Sequence, residues 1–443
     1  MNYKLAINGG KNIRKEPWPV KRLYNKSKIK NEVANIIESD NLSGYRGSFG
    51  QHFWGGQSVK ELESFFENYL FEKSGIKSYV LAVNSCTSAL HVACGAIGLN
   101  YASEVIVTPW SMTCSATAPK IYDAKPIFAD IEKDYFCLDV KSIEEKITDR
   151  TKAIIAVDLF GQPYDVEAIN ALAKKHNLFV IEDCAQALGA AYVDEKGSVI
   201  PVGLLGDIGC FSFTQGKHFT CGEGGFIVTK NEELYMKCAL LRNHAEAVIN
   251  SMPDNLSYKH DESFKNLCGF NLRMTEIQAR ILLEQFKSSG NGLSNNIEIE
   301  VKARNYLVDK IKEIDLPGIL WGETRGKNLH AYYVLPFLFD ENVVGVSRHT
   351  FIEAVKAELR IEKTNMGITQ KIEPLIWEGY IKPIYRMPFF NYYPELETVE
   401  NLQNNTFCFT TFQGLPLKGR DIIDISDAFY KVYENLNELK DKK

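Results

Sequence analysis

Several features are missing from this chain, and each absence removes a class of function. No C-x-x-C pair occurs among the ten cysteines, which are scattered singly. That argues against a zinc site or a disulfide framework and fits a reducing cytoplasm, with most cysteines as small core residues. No stretch approaches the roughly 20 apolar residues that a membrane span needs. The N-terminus lacks the long apolar core of a signal peptide. Charge of one sign is not in excess: a formal net charge of −5 gives no reason to expect nucleic acid or an anionic membrane as partner. Internal repeats and low-complexity segments are also lacking.

The composition, 45% hydrophobic and 24% charged, is that of a soluble globular protein. A length of 443 residues is too great for one small core and suggests roughly two or three domains. From Tyr79 onward, short apolar strands alternate with helical patterns. Strands are expected at Tyr79–Val83, Val105–Val107, Pro126–Ala129, Ala153–Val157 and Leu178–Ile181, and helices at Cys86–Ala96, Cys114–Tyr122, Lys141–Ile147 and Val166–Lys175. Such alternation, with strands that are apolar nearly throughout, predicts an α/β fold with a mostly parallel sheet covered by helices on both faces. Ligands of such sheets bind beyond the carboxyl ends of the strands, where Asn84, Pro109, Asp183 and Thr214 fall. Further on, a polar stretch over Ala245–Lys265 reads as a mobile loop and Gly290–Asn296 as a join; short strands follow over Tyr332–Leu338, then a helix over Arg348–Glu358, a proline- and tyrosine-rich loop and a last helix.

The stretch from Asp207 to Thr229 organises the rest. Two apolar strands, Ile208–Phe213 and Phe226–Val228, bracket a loop that holds Lys217 between Gly216 and Gly222, Gly224 and Gly225. Glycines let a backbone pass close to a flat ligand. A lysine between buried strands can lose its charge by forming a Schiff base, as pyridoxal phosphate (PLP) requires. Taken alone, the loop reads as a surface hairpin with an ordinary solvated lysine. A second stretch, Leu178 to Gln186, shifts that reading, because its strand ends on Asp183, a carboxylate able to keep a pyridine nitrogen protonated.

With Glu182-Asp-Cys-Ala-Gln186, Phe211-Ser-Phe-Thr-Gln-Gly-Lys217 and Gly222-Glu-Gly-Gly225 in place, the chain resembles the DegT/StrS-type sugar aminotransferases, a branch of the fold-type I PLP enzymes. The resemblance runs from the N-terminal arm to the last helix. It implies an arm over 1–57 that helps cover the active site, a large PLP-binding domain over 58–290, and a smaller C-terminal α+β domain over 291–443. Lys217 would carry the cofactor and move the proton, Asp183 would hold the ring nitrogen, and Gln186 the phenolic oxygen. Ala185 would lie under one ring face. Phosphate would fall on the helix start at Cys86 and Thr87, whose free backbone N–H groups attract an anion, and on Ser212. Asn271 would reach the phosphate of a neighbouring subunit, which makes a homodimer with shared sites. The family's outer-face aromatic is replaced: spacing puts Met112 there, with Trp110 as the alternative. His218 is a loop histidine near the site without an assigned role.

The resemblance further implies transfer of nitrogen from glutamate or glutamine to a ketone of a sugar, first of all a nucleotide-linked one destined for a surface glycan. A keto-cyclitol of the scyllo-inosose kind is the alternative acceptor, suggested by His330-Ala-Tyr-Tyr333, Gly345-Val-Ser-Arg348 and Gly379 to Tyr385. A PLP-dependent sugar dehydratase is disfavoured, since its relatives carry histidine where Lys217 stands. A catalytically silent PLP-binding regulator is the remaining rival.

Overall fold

The computed structural model describes residues 4–18, 25–247, 261–288, 292–365, 368–372, 375–391, 393–410 and 419–440. Its first layer is a sheet of seven strands. Five come early: β1 (Tyr79–Val83), β2 (Glu104–Val107), β3 (Lys125–Phe128), β4 (Thr151–Val157) and β5 (Phe179–Asp183). A small antiparallel ribbon, β6 (Ala191–Val193) with β7 (Val199–Pro201), stands apart from that sheet. The last two sheet strands are β8 (Ile208–Ser212) and β9 (Gly225–Thr229), and the spatial order is β1-β9-β8-β5-β4-β2-β3.

Neighbours in this sheet run parallel except around β9, which is antiparallel to both β1 and β8. The exception has a local cause. Parallel strands need a long crossover, usually a helix, and the glycine-rich loop between β8 and β9 holds none. The chain therefore reverses, and the loop carrying Lys217 is left at the carboxyl end of β8. Strand residues such as Val105, Ile106, Ile154, Ile155 and Ile181 are completely buried, because helices cover both faces of a parallel sheet.

A second layer follows the helix Gly292–Glu313. Strands β10 (Ile319–Trp321) and β11 (Leu335–Phe339), the hairpin β12 (Ile361–Asn365) with β13 (Ile368–Ile372), then β14 (Leu375–Glu378) and β15 (Thr406–Thr410) complete the strands. Four of them form an antiparallel sheet in the order β10-β11-β15-β14. Its own core contains Phe337, Phe351, Phe407 and Phe429, and residues from the N-terminus join it: Leu5 and Trp18. Arg14 fastens that arm through Asp421 at 2.7 Å and Asp424 at 2.9 Å, both on the last long helix, Gly419–Glu434. The next part of the arm packs elsewhere, with Tyr45 and Phe53 in the large core.

Four expectations need adjustment. The helix expected over Cys114–Tyr122 breaks into Cys114–Thr117 and a 3-10 turn, Pro119–Tyr122, because Pro119 has no N–H to give and its ring crowds the preceding turn. The strand expected over Tyr332–Leu338 begins only at Leu335. Ahead of it, Ala331 and Tyr333 donate their N–H groups to Gly161 and Phe160 at 2.8 Å each, which pins the segment to the loop after β4. The join expected at Gly290–Asn296 is helical from Gly292, while 289–291 lie outside the described residues. Of the polar stretch 245–265, residues 248–260 also lie outside them, and its end is a short helix, Glu262–Lys265, capped by Asp261. Among the described residues no helix is long and apolar enough to cross a membrane.

Candidate active site

Asp183 ends β5 and is only 2% exposed. Its Oδ2 accepts from the Ser115 hydroxyl at 2.8 Å and its Oδ1 from the Ala185 N–H at 3.2 Å, with the Cys86 thiol 3.9 Å away. Burial raises its pKa above the ordinary carboxylate range, and the Ser115 and Ala185 hydrogen bonds, the Lys217 charge and Cys86 pull it part of the way back. Such a carboxylate is held in place by donors yet lacks enough of them to ionise freely. That fits a group meant to face a cation, as a protonated ring nitrogen would be.

The Lys217 loop is not a solvated hairpin. Lys217, His218, Phe219 and Thr220 are all buried. The loop folds onto its own base: Lys217 N–H donates to the Thr214 carbonyl at 3.0 Å, and the Thr220 hydroxyl and Cys221 N–H both donate to the Phe213 carbonyl at 3.1 Å. Lys217 Nζ points over the ring of Tyr333, 4.2 Å from its centroid. Its positive charge is felt at Asp183, Cys86 and Cys114, so the lysine and the strand-end carboxylate share one enclosure.

The same edge of the sheet offers an anion cradle. β1 gives way to the helix Cys86–Ala96, whose cap, Ser85, accepts from Ser88 N–H at 3.0 Å. The first-turn amides of Cys86 and Thr87 have no acceptor within the helix. Cys86 is buried and Thr87 exposed. Gly225 lies against this turn so closely that a Cβ there would come within 2.5 Å of the Ser85 carbonyl carbon and 2.7 Å of the Cys86 nitrogen. Ser212, also buried, pairs with Gly225 across β8 and β9. Free amides at a helix start beside a serine suit a phosphate.

Around these groups the other expected residues are placed as follows. Ala185 is half-buried beside Asp183. Gln186 is buried, but its amide is already engaged, with Oε1 accepting from Phe160 N–H at 2.9 Å and Nε2 donating to the Tyr380 hydroxyl at 3.1 Å. Of its two amide hydrogens one is left for a cofactor oxygen. Met112 is 55% exposed, whereas Trp110 is wholly buried against Phe136, Phe160 and Tyr380. The indole N–H of Trp110 is spent on the Ile381 carbonyl at 2.9 Å and Gln403 Oε1 at 2.8 Å. Of these two, then, only Met112 has an open face. Asn271 lies on a segment that runs antiparallel to the end of β1; its side chain is exposed, and its Oδ1 accepts from Arg273 Nε at 2.8 Å. His218 places Nε2 3.2 Å from the Ala331 carbonyl.

Three neighbours escaped the sequence. Ser115 and Tyr380 reach Asp183 and Gln186 from distant parts of the chain, and nothing local signals either contact. Tyr333 stands in the His330–Tyr333 motif, but only the folded chain brings it over Lys217. Beneath Asp183, Glu182 takes three backbone N–H donors, Gly203 at 2.7 Å, Leu205 at 3.0 Å and Gly206 at 3.2 Å. Its charge, added to burial, pushes the adjacent Asp158 far above the ordinary range. With its oxygens occupied this way, Glu182 ties the end of β5 to the loop ahead of β8 rather than offering a ligand.

Comparison with known proteins identifies the family. The sequence profile of the DegT/DnrJ/EryC1/StrS aminotransferase family matches residues 48–378. A putative L-glutamine:3-amino-2,3-dideoxy-scyllo-inosose aminotransferase of Micromonospora echinospora is 30% identical, over 99% of this chain and 99% of its own length. GDP-perosamine synthase of Escherichia coli O157:H7 is 40% identical over 56% of this chain and 64% of its own. Among solved structures, an aminotransferase from Psychrobacter cryohalolentis superposes with a TM-score of 0.70 at 27% identity, covering 95% of this chain and 99% of that one. The chain belongs to the DegT/DnrJ/EryC1/StrS family, whose members are PLP-dependent aminotransferases.

Proposed function

From that membership we propose that this chain is a PLP-dependent aminotransferase that moves nitrogen from glutamate or glutamine to a ketone of a nucleotide-linked sugar, in a cytoplasmic homodimer. The observation that carries it is the enclosure of Lys217 with Asp183, beside the free amides of Cys86 and Thr87. PLP supplies a carbonyl that takes the donor nitrogen and a ring that draws off electron density.

The chain's own groups do the rest. Asp183, steadied by Ser115, would hold a protonated ring nitrogen. Cys86, Thr87 and Ser212 would hold the phosphate, and the remaining N–H of Gln186 would be available to the phenolic oxygen. Ala185 and Met112 would be the residues beside the ring. Lys217 would be the attachment lysine, and its Nζ, when unattached, would serve as the base that holds and moves a proton. Asn271 would contribute to the phosphate site of a partner copy. A keto-cyclitol is the second reading for the acceptor, favoured by the scyllo-inosose relative, which matches this chain nearly end to end.

The test is spectroscopic. Purified protein should show a band near the visible edge that shifts to shorter wavelength with glutamate or glutamine. Lys217→Ala should lack it. Keto-sugar nucleotides and keto-cyclitols are then compared for restoring the band. A protein that gains no chromophore from added PLP would sink the proposal.

A further inference from the structure

The segment His330–Tyr333 leaves the second layer to meet the site and is held there in a conformation that costs energy. Tyr332 has φ of +48°, a left-handed backbone that bulky side chains avoid. Strain of this kind persists only where the surroundings over-determine it, and it collects at functional sites. Here the surroundings are specific. Tyr332 N–H donates to His330 Nδ1 at 2.8 Å, and the two rings stack with centroids 4.0 Å apart. Burial, with the nearby Arg304 charge, lowers the His330 pKa to about 3, so that Nδ1 stays an acceptor at any working pH.

On either side, Ala331 and Tyr333 are pinned to Gly161 and Phe160. Gly161 permits this approach: its φ is +101°, and a Cβ there would come within 2.9 Å of the Tyr332 nitrogen and 3.0 Å of the Gln186 carbonyl oxygen. The result of the whole arrangement is one placement. The Tyr333 ring faces Lys217 Nζ at 4.2 Å, and the His218 ring lies tilted against the Tyr333 ring with centroids 5.8 Å apart.

We propose that Tyr333 is a positioning residue for Lys217, its ring face holding the lysine ammonium over the site whenever the lysine is not covalently attached to the cofactor. This deepens the function proposed above, since it rests on Lys217 being the attachment lysine. A lysine in that role is released and recaptured in every cycle. Buried there, that ammonium has lost water, and the electron-rich face of an aromatic ring steadies a cation in such surroundings. Among the charged and titratable groups around Lys217 are Asp183 from β5 and Cys86 and Cys114 from the two helix starts; the Tyr333 ring lies over its Nζ, with His218 against Tyr333, and Tyr380 borders Tyr333 and Asp183.

The experiment reads the amine directly. Full-length protein, freed of cofactor by donor treatment and dialysis, is labelled competitively with acetic anhydride across pH, and Lys217 acetylation is quantified by mass spectrometry. In Tyr333→Leu the midpoint should fall by about one pH unit, a tenfold loss of preference for the ammonium. Tyr333→Phe keeps the face and should stay within a few tenths of the parent. Tyr333→Trp should move the midpoint upward, which keeps the idea testable if the leucine variant does not fold. A leucine midpoint equal to the parent's overturns the proposal, as does a downward shift in the tryptophan variant or a phenylalanine variant that behaves like leucine. Because no cofactor is present, the readout is separate from the Lys217→Ala spectrum that tests the function itself.

Discussion

Replacing Ser115 by alanine tests how the site holds Asp183. The serine hydroxyl is one of the donors on this buried carboxylate, at 2.8 Å. A hydrogen bond to a charged group contributes about 1.5–3 kcal/mol, and one to a neutral group about 0.5–1.5 kcal/mol. Ser115→Ala should therefore cost more when Asp183 is ionised than when it is protonated, by about 1.4 kcal/mol, which raises its pKa by about one further unit. The sign follows from the direction of the existing shift. Asp183 is already raised by burial, so between its unfolded and folded pKa values the native state binds more protons, and stability falls as pH rises through that window. The alanine variant should extend the fall to higher pH.

The assay is urea unfolding of cofactor-free protein at a series of pH values, parent against variant. Burial raises other acids too, Glu63 and Asp158 among them, so the difference between the two proteins is the quantity to follow. It should grow by about 1.4 kcal/mol from below the Asp183 transition to above it. In an Asp183→Asn background the same substitution should give a pH-independent difference. A constant difference in the Asp183 background would refute the reasoning and mean that Ser115 does not tune the carboxylate.

Gly225→Ala places a methyl against the backbone of Ser85 and Cys86, so it should weaken PLP binding about tenfold or more through the shifted amides, measured by absorbance titration, while thermal unfolding shows the fold intact. Unchanged affinity would remove Cys86 and Thr87 from the cradle. Arg14→Met removes the buried cation shared by Asp421 and Asp424, of which Asp424 keeps Arg420 at 2.9 Å, and should destabilise by about 3 kcal/mol. Hydrogen exchange should then rise over residues 4–18, and an unchanged exchange pattern there would show that the arm is not held by this pair.

Much of the large domain was legible in the sequence. The helices Cys86–Ala96 and Val166–Lys175 and the strand Tyr79–Val83 form where periodicity places them, because apolar spacing along a short segment decides which face it buries. The β15 strand was not legible. Thr406–Thr410 reads as part of an irregular region, yet it is a central strand between β11 and β14. Its pairing is set by partners elsewhere in the chain, Leu335–Leu338 on one side and Leu375–Glu378 on the other.

The site divides in the same way. Lys217 and Asp183 are conspicuous in sequence because each stands at the end of a buried strand, and strand ends in parallel sheets open onto one edge. Rival residues could not be separated locally. Trp110 and Met112 lie two positions apart, and what distinguishes them is that Ile381 and Gln403 supply acceptors for one indole N–H and draw it into the core. Ser115 on Asp183 joins segments that the first sheet brings together, and Tyr333 over Lys217 joins segments that meet only when the second layer docks. The sequence by itself determined the strand ends and the reactive groups they carry, because those follow from short-range burial patterns. Which side chains orient those groups was decided by the tertiary structure alone, since a hydrogen bond or a ring face acts only at a distance that folding creates.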